Sequence, residues 1–266
     1  MHQVKIQCPA KINLTLKITG KRPDGFHNIE SIMQTISLYD YLSIKLEKAD
    51  SLNISLAGNS NEIPYNEKNL VYKASKLFFE NYKDKNYSVN VYIEKSIPVS
   101  AGLAGGSTNA AGMLFGLNHL LNNPLSKTEI HSLAAQLGSD LNFCLEGGKQ
   151  MTRGRGEVLT PMKFEKFNVS LIKPLDLGIS AKEAYTRFSE RNYAKDTGRE
   201  NFANDLEWGV INDYPQLQHI KELYPKSIMS GSGSTYYLVD GDFTQENNYW
   251  VKNGLESIQH GVRVVD

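Results

Sequence analysis

The feature that most limits what this chain can become is a cluster of glycines in IPVSAGLAGGSTNAAGMLFGLNHLL, residues 97–121. Five of the 21 glycines fall within residues 102–116, where an even spread gives about one. Upstream, Val89, Val91 and Ile93 alternate as a strand does, and Ile97-Pro98 closes it. Downstream, Ala110, Leu114, Leu117 and Leu121 recur at helical spacing from about Ser107 onward. A glycine-rich turn between strand and helix gathers unpaired backbone N–H groups and the positive helix end at one point. That is an anion cradle, and phosphate is its usual guest. Ser107, Thr108 and Asn109 can cap the helix and could also face a phosphate or a magnesium ion. Taken alone, the same glycines also fit a tight, close-packed turn, so both readings stay open here. Two common phosphate loops are excluded. No Lys-Ser or Lys-Thr follows the glycines, and their spacing is not that of a dinucleotide fold.

Around this loop the period of the hydrophobic pattern changes. Ile12, Leu14, Leu16 and Ile18 alternate with Lys11, Asn13, Thr15, Lys17 and Thr19, which predicts a half-buried strand ended by the Pro-Asp-Gly turn of Gly20–His27. Strands are expected at Ile32–Leu38, Leu42–Leu46 and Leu52–Leu56, and a helix over about 67–81. Ser126 and Glu129 form a capping box for a third helix that Gly138 can end. The second half predicts strands at Val158-Leu159 and Val169–Ile172, then helices near 181–190, 203–212 and 215–223. Strands near Ser227–Met229 and Thr235–Val239 flank the SGSGS segment, and a helix near 244–257 precedes a last strand at Gly261–Val265. Paired strands with grouped helices point to an α+β chain of two lobes, divided near residues 150–160.

Charge and cysteine usage narrow the function. With 29 Lys+Arg against 29 Asp+Glu the formal charge is zero, which argues against a nucleic-acid or anionic-membrane surface. No run approaches the roughly 18 apolar residues of a membrane helix, and Lys5, Lys11 and Lys17 interrupt any signal-peptide core. Cys8 and Cys144 lie far apart without a CxxC, and the six histidines lack zinc-binding spacing. A reduced, cytoplasmic setting is expected, for a monomer or weak homodimer.

PVSAGLAGGSTNAA resembles the phosphate loop of the galactokinase, homoserine kinase, mevalonate kinase and phosphomevalonate kinase (GHMP) superfamily. CPAKINLTLKITGKRPDGFHNIESIMQTISLYD is similar to the N-terminal signature of the branch whose acceptor is a cytidine diphosphate-linked methylerythritol. LGSDLNFCLEGG, GRGEVL, NDLE and MSGSGS continue the resemblance in the same order to about residue 240. The resemblance implies a two-lobed fold. Its N-terminal lobe (1–155) would hold a mixed sheet and the phosphate loop, and its C-terminal lobe (156–266) would be ferredoxin-like. It also implies ATP-dependent phosphorylation of the acceptor's 2-hydroxyl, a tertiary alcohol, in the non-mevalonate route to isoprenoid precursors. The chain departs from the pattern at Ala104, where a glycine is usual and a positive φ would be strained, and at Phe26, a frequent Tyr.

By the same resemblance Asp140 is the catalytic base and Lys11 its partner. Asn13, two residues on, shares a strand face with Lys11, about 6–7 Å along. An alcohol with a pKa near 16 and an ordinary carboxylate near 4 differ by about 16 kcal/mol. The base therefore orients the hydroxyl and accepts its proton late, as the phosphoryl group arrives. Viewed singly, Asp140 reads as a helix N-cap and Lys11 as a solvated strand lysine; the joint pattern favours the site. Phe26 and Tyr185 are expected to sandwich the cytosine, and His27 to contact its hydrogen-bonding edge. Asn69 and Lys95 are expected near adenine and ribose. Pro98, Val99, Ser100, Ala101, Gly102, Leu103, Ala104, Gly105, Gly106, Ser107 and Thr108 would enclose the phosphates. Magnesium is expected, with Ser107 as its candidate ligand. Mevalonate and homoserine have no base to stack, so the DGFH segment separates this branch from its neighbours. A non-catalytic regulator or an RNA binder fits less well, given Lys11 with Asp140 and the neutral charge.

Overall fold

In the computed structural model, which describes residues 2–193 and 197–265, the chain begins with two unusually long strands. β1 (His2–Lys21) and β2 (His27–Lys48) pair antiparallel from His2 opposite Leu46 to Lys21 opposite His27. The two segments expected at 32–38 and 42–46 are therefore one strand. Register shifts at Pro9/Ala10, Asn13/Thr15 and Ile18/Gly20 let this ribbon bend and twist. They also break strict alternation. Residues 6–13 are buried without interruption, because the bent ribbon is covered on both faces.

β3 (Asn53–Gly58) runs parallel to β4 (Tyr87–Glu94), and α1 (Leu70–Asn81) makes the crossover between them. α2 (Gly105–Leu120) then packs on β1 and β2. It is buried on nearly every side, which explains two of the clustered glycines. A methyl at Gly112 would stand 2.5 Å from the Cys8 sulfur, and one at Gly116 2.5 Å from Ile44 Cδ1. These two serve helix–sheet contact and lie outside the loop. α3 (Lys127–Leu137) opens on the Ser126/Glu129 capping box as expected. α4 (Leu141–Glu146), β5 (Lys149–Arg153) and β6 (Val158–Pro161) complete this half, with β5 on β2 and β6 on β5.

β7 (Asn168–Pro174) starts a second sheet. α5 (Ala181–Tyr193), α6 (Asp205–Val210) and α7 (Pro215–Leu223) follow, then β8 (Ile228–Met229), β9 (Tyr236–Val239) and β10 (Tyr249–Glu256). The sheet order β10-β7-β9-β8 is wholly antiparallel. Numbered within the lobe this is 4-1-3-2, the ferredoxin-like order. The helix expected near 244–257 is instead strand β10. Gly254 there has φ +72°, and the register on β7 shifts between Lys252 and Leu255, so a bulge stands where helical periodicity was read. Residues 240–248 make the crossover without a helix, since nine residues extended to about 3.3 Å each can reach along β7. The chain ends with β11 (Arg263–Val265) on β1. The division expected at 155/156 thus separates the sheets only approximately, because β6 and β11 lie beyond it and join the first sheet.

Three apolar clusters hold these parts. One lies between the first sheet and α1 to α4, and a second between the other sheet and α5 to α7. The third joins the two sheets through Ala10, Ile12, Ile36, Val169, Leu171 and Tyr237, and takes in Ala101 and Leu103. At about 25 cal/mol per Å² of buried apolar surface, such an interface fixes whatever loop contributes to it. The glycine loop is therefore anchored from beneath. No helix among the described residues is long and apolar enough to cross a membrane.

Candidate active site

The loop between β4 and α2 and the segment between β8 and β9 meet over β1 at one cleft of about 910 Å³. Lys11, on the buried centre of β1, is only 4% exposed. Its Nζ donates to Asn13 Oδ1 at 2.7 Å and to the Gly102 carbonyl at 2.9 Å, and lies 3.7 Å from Asp140 Oδ2. Asn13 is itself held, donating from Nδ2 to Ser31 Oγ at 2.8 Å. Asp140 precedes α4, yet its carboxylate caps nothing and keeps 29% exposure. The capping role that its position suggests is unused, and the carboxylate is left for the cleft.

α2 begins in an unusual way. The same chain caps α1 with Asn69, α3 with Ser126 and α6 with Asn204, but the residue before α2 is Ala104, with φ +58° and no side chain to offer. No acidic residue stands in the first turn of α2 either. The N–H groups of that turn thus lack an internal acceptor, at the positive end of a 16-residue helix. Pro98 to Ser107 all line the cleft; Thr108, behind them, is fully buried. Ala101 and Leu103 send their side chains into the core between the sheets, so they can offer a ligand only backbone.

Asn69 and Lys95 line the same cleft, but their polar atoms are committed. Asn69 Oδ1 accepts from the Val71 amide and Nδ2 donates to the Pro64 carbonyl. Lys95 Nζ sits 2.8 Å from Asp40 Oδ2 and also donates to the Ile97 carbonyl. Burial pulls the Lys95 ammonium below its ordinary range, and Asp40 opposes that pull. Asp40 Oδ1 takes the Ser96 and Ile97 amides at 2.7 and 2.8 Å, so this buried pair is a strut beneath the loop. Sequence reading passed over Asp40, because a lone strand aspartate carries no signal.

The second lobe supplies the roof. Ser230 Oγ donates to the Gly102 carbonyl at 3.0 Å, and a methyl at Gly231 would lie 3.0 Å from Lys11 Nζ. The SGSGS segment therefore reaches the Lys11 centre. It is pinned by Asn204, fully buried, whose Nδ2 donates to the Met229 and Gly231 carbonyls at 2.7 and 2.8 Å. Its neighbour Asp205 accepts from the Ile18 amide at 2.7 Å and ties the same turn to β1. The NDLE motif was visible in the sequence, but its task was not.

At the other end of the cleft, Phe26 is 52% exposed and carries the Arg155 guanidinium 5.0 Å from its ring centroid. Tyr185 stacks on His27, with centroids 5.0 Å apart and planes 14° from parallel. The two rings form one slab, so Tyr185 backs His27 here and its near-parallel stacking partner is that imidazole. Burial, with Lys21 adding to it, holds the His27 imidazolium below the usual range. Arg155, Ser189 and Lys182 also line this end, and none was singled out from sequence.

Comparison with known proteins agrees in sequence and in fold. The GHMP kinases N terminal domain matches residues 69–148. A 4-diphosphocytidyl-2-C-methyl-D-erythritol kinase of Clostridium perfringens (strain SM101 / Type A) is 38% identical over 256 residues, covering 88% of each chain. The protein of that name from Syntrophomonas wolfei subsp. wolfei is 38% identical over 264 residues, 91% of this chain and 90% of its own. Among solved structures, a 4-(cytidine 5'-diphospho)-2C-methyl-D-erythritol kinase aligns with TM-score 0.72 at 25% identity, over 95% of this chain and 99% of that one. Homoserine kinase from Cytophaga hutchinsonii, at 13% identity and TM-score 0.70, shares the fold.

Proposed function

This chain belongs to the 4-diphosphocytidyl-2-C-methyl-D-erythritol kinases of the GHMP group, and on that footing we propose that it transfers the γ-phosphoryl group of ATP to the 2-hydroxyl of the cytidine diphosphate-linked methylerythritol. The products are ADP, the phosphorylated acceptor and a proton. The observation that carries the assignment is the meeting of Lys11 and Asp140, 3.7 Å apart, beside an uncapped helix N-terminus in one cleft.

Asp140 orients the acceptor hydroxyl and takes its proton as the phosphoryl group is transferred, then releases it to solvent. Lys11, fixed by Asn13 and the Gly102 carbonyl, places a positive charge where negative charge gathers on the phosphoryl oxygens. The first-turn amides of α2 hold the nucleotide phosphates. Asn69 and Lys95 shape the nucleotide end, acting through the positions they hold. Phe26, half-exposed, stacks the cytosine, and His27 with Tyr185 behind it meets the base edge.

Phosphoryl transfer of this kind implies magnesium. No three of His, Cys, Asp and Glu cluster among the described residues, whereas Ser107 and Asp140 both line the cleft. That donor set suits an ion carried mainly by the nucleotide, which needs only about one or two protein oxygens. Ser107 would hold it, and the ion when bound neutralises phosphate charge.

ADP release measured with three acceptors tests the reading. Turnover is expected on the cytidine-linked erythritol and not on mevalonate or homoserine. Equal or absent turnover on all three refutes it.

A further inference from the structure

Resting on the base-binding role of the Phe26–His27 turn, we propose that Ser189 is a positioning residue for specificity. It fixes His27 in the tautomer whose Nδ1 is a hydrogen-bond acceptor. The cleft then selects a base bearing an exocyclic amine over one bearing a carbonyl oxygen in its place.

The argument is one of hydrogen counting. Ser189 Oγ lies 2.9 Å from the Tyr185 carbonyl oxygen and 3.2 Å from His27 Nε2. A carbonyl can only accept, so at that separation the single hydroxyl hydrogen must lie between the two oxygens. Otherwise two sets of lone pairs oppose each other. Once that hydrogen is committed, Ser189 offers His27 only lone pairs, and the contact is favourable only if Nε2 carries a hydrogen. A neutral imidazole has one, so Nδ1 is left as the acceptor. The depressed basicity of His27 favours this neutral form. Nδ1 makes no hydrogen bond to protein among the described residues, and the side chain lines the cleft.

Packing holds the plane of the ring. Tyr185 stacks on one face, and Phe188 meets it edge-on with centroids 6.4 Å apart and planes at 89°. Tyr185 and Ser189 are one helical turn apart on α5, so a single helix supplies the stack and the hydrogen-bond constraint. A cytosine 4-amino group can donate to Nδ1. Uracil presents O4 there, which loses the bond and sets two lone pairs against each other. For this half-exposed site we expect about 10- to 100-fold discrimination in kcat/KM.

The test compares kcat/KM on cytidine- and uridine-diphosphate-linked methylerythritol for the wild type, Ser189→Ala and Ser189→Thr. The wild type should favour the cytidine compound by at least about tenfold. In Ser189→Ala the Nδ1–H tautomer becomes available, and the ratio should fall to within about threefold as the uridine compound improves. Ser189→Thr keeps the hydroxyl and should restore the ratio. If Ser189→Ala lowers both substrates equally and keeps the preference, Ser189 is merely structural and the proposal is overturned. Ring nitrogen shifts of His27 in the wild type should report Nε2–H with an unprotonated Nδ1; the opposite pattern also overturns it. If the wild type turns over neither substrate, the kinase reading of the site falls, and the nitrogen spectrum alone then decides the tautomer assignment.

Discussion

Replacing Gly102 by alanine should separate the two loops that meet over Lys11. Gly102 holds φ +73°, and a methyl added there would stand 2.0 Å from the Ser230 carbonyl oxygen and 3.0 Å from the Gly233 nitrogen. A relaxed carbon–oxygen contact is about 3.3 Å, so the segments must part by about 1 Å. Both neighbours are backbone and cannot rotate away. An L-residue in the left-handed region adds about 1–2 kcal/mol. At about 2–4 °C per kcal/mol for a chain of this class, Tm should fall by roughly 2–8 °C from that cost alone. Activity should suffer more, because Lys11 Nζ is anchored on the Gly102 carbonyl at 2.9 Å. A displacement of about 1 Å costs on the order of 100-fold, or about 2.7 kcal/mol at 1.36 kcal/mol per decade. Ala104→Gly is the control in the same loop. Ala104 already holds φ +58°, so glycine relieves about 1 kcal/mol of strain and loses about 0.4–1 kcal/mol through the freer unfolded chain. Its Tm and kcat/KM should stay close to wild type. The assay is coupled ADP release with the cytidine-linked acceptor, alongside thermal unfolding. If Gly102→Ala keeps kcat/KM within about threefold and an unchanged Tm, the loop-to-loop packing argument is wrong.

Asp140→Asn should lower kcat by about 10²–10⁴-fold while ATP affinity, measured by equilibrium titration, stays nearly constant; wild-type turnover would remove Asp140 from its role. Asn204→Ala strips two buried carbonyls of their donor and uncaps α6, a loss of about 3 kcal/mol or more. Its Tm should drop by roughly 6–12 °C, and a Tm equal to wild type would show that water replaces the amide. His27, held below its ordinary 6.5, binds fewer protons when folded than when unfolded. Its contribution to stability therefore rises with pH between the lowered value and about 6.5 and is flat above that. An NMR titration giving 6.5 or higher would contradict this, and acceptor KM should rise as His27 is protonated in acid.

Much of the fold could be read from local pattern. The glycine-rich turn, the capping box at Ser126 and the alternation through Ile12–Ile18 each express backbone preferences that hold in any context. The collinear motifs carried the resemblance to the branch, and with it the roles proposed for Lys11 and Asp140. Other parts were not legible because neighbours distant in the chain decide them. Residues 249–256 had polar spacing that suited a helix, yet the free edge of β7 made them a strand. Viewed singly, Lys11 read as solvated on a polar strand face, and the glycine loop and the SGSGS segment meeting over β1 buried it. Gly112 and Gly116 were counted with the glycine cluster, and only the sheet beneath the helix gave the reason for them.

The sequence by itself determined the chemistry available: a carboxylate, an ammonium, a loop of free amides and an aromatic turn, all within a chain able to build two lobes. Tertiary structure decided what those groups face. Asp140 is spared from capping, Asp40 and Lys95 become a strut, Asn204 pins a loop 27 residues away over Lys11, and Ser189 comes within 3.2 Å of His27 Nε2. The physical reason is that propensity and periodicity are short-range properties of the backbone. The state of a buried polar group is set instead by whichever donor or acceptor the fold brings within about 3 Å.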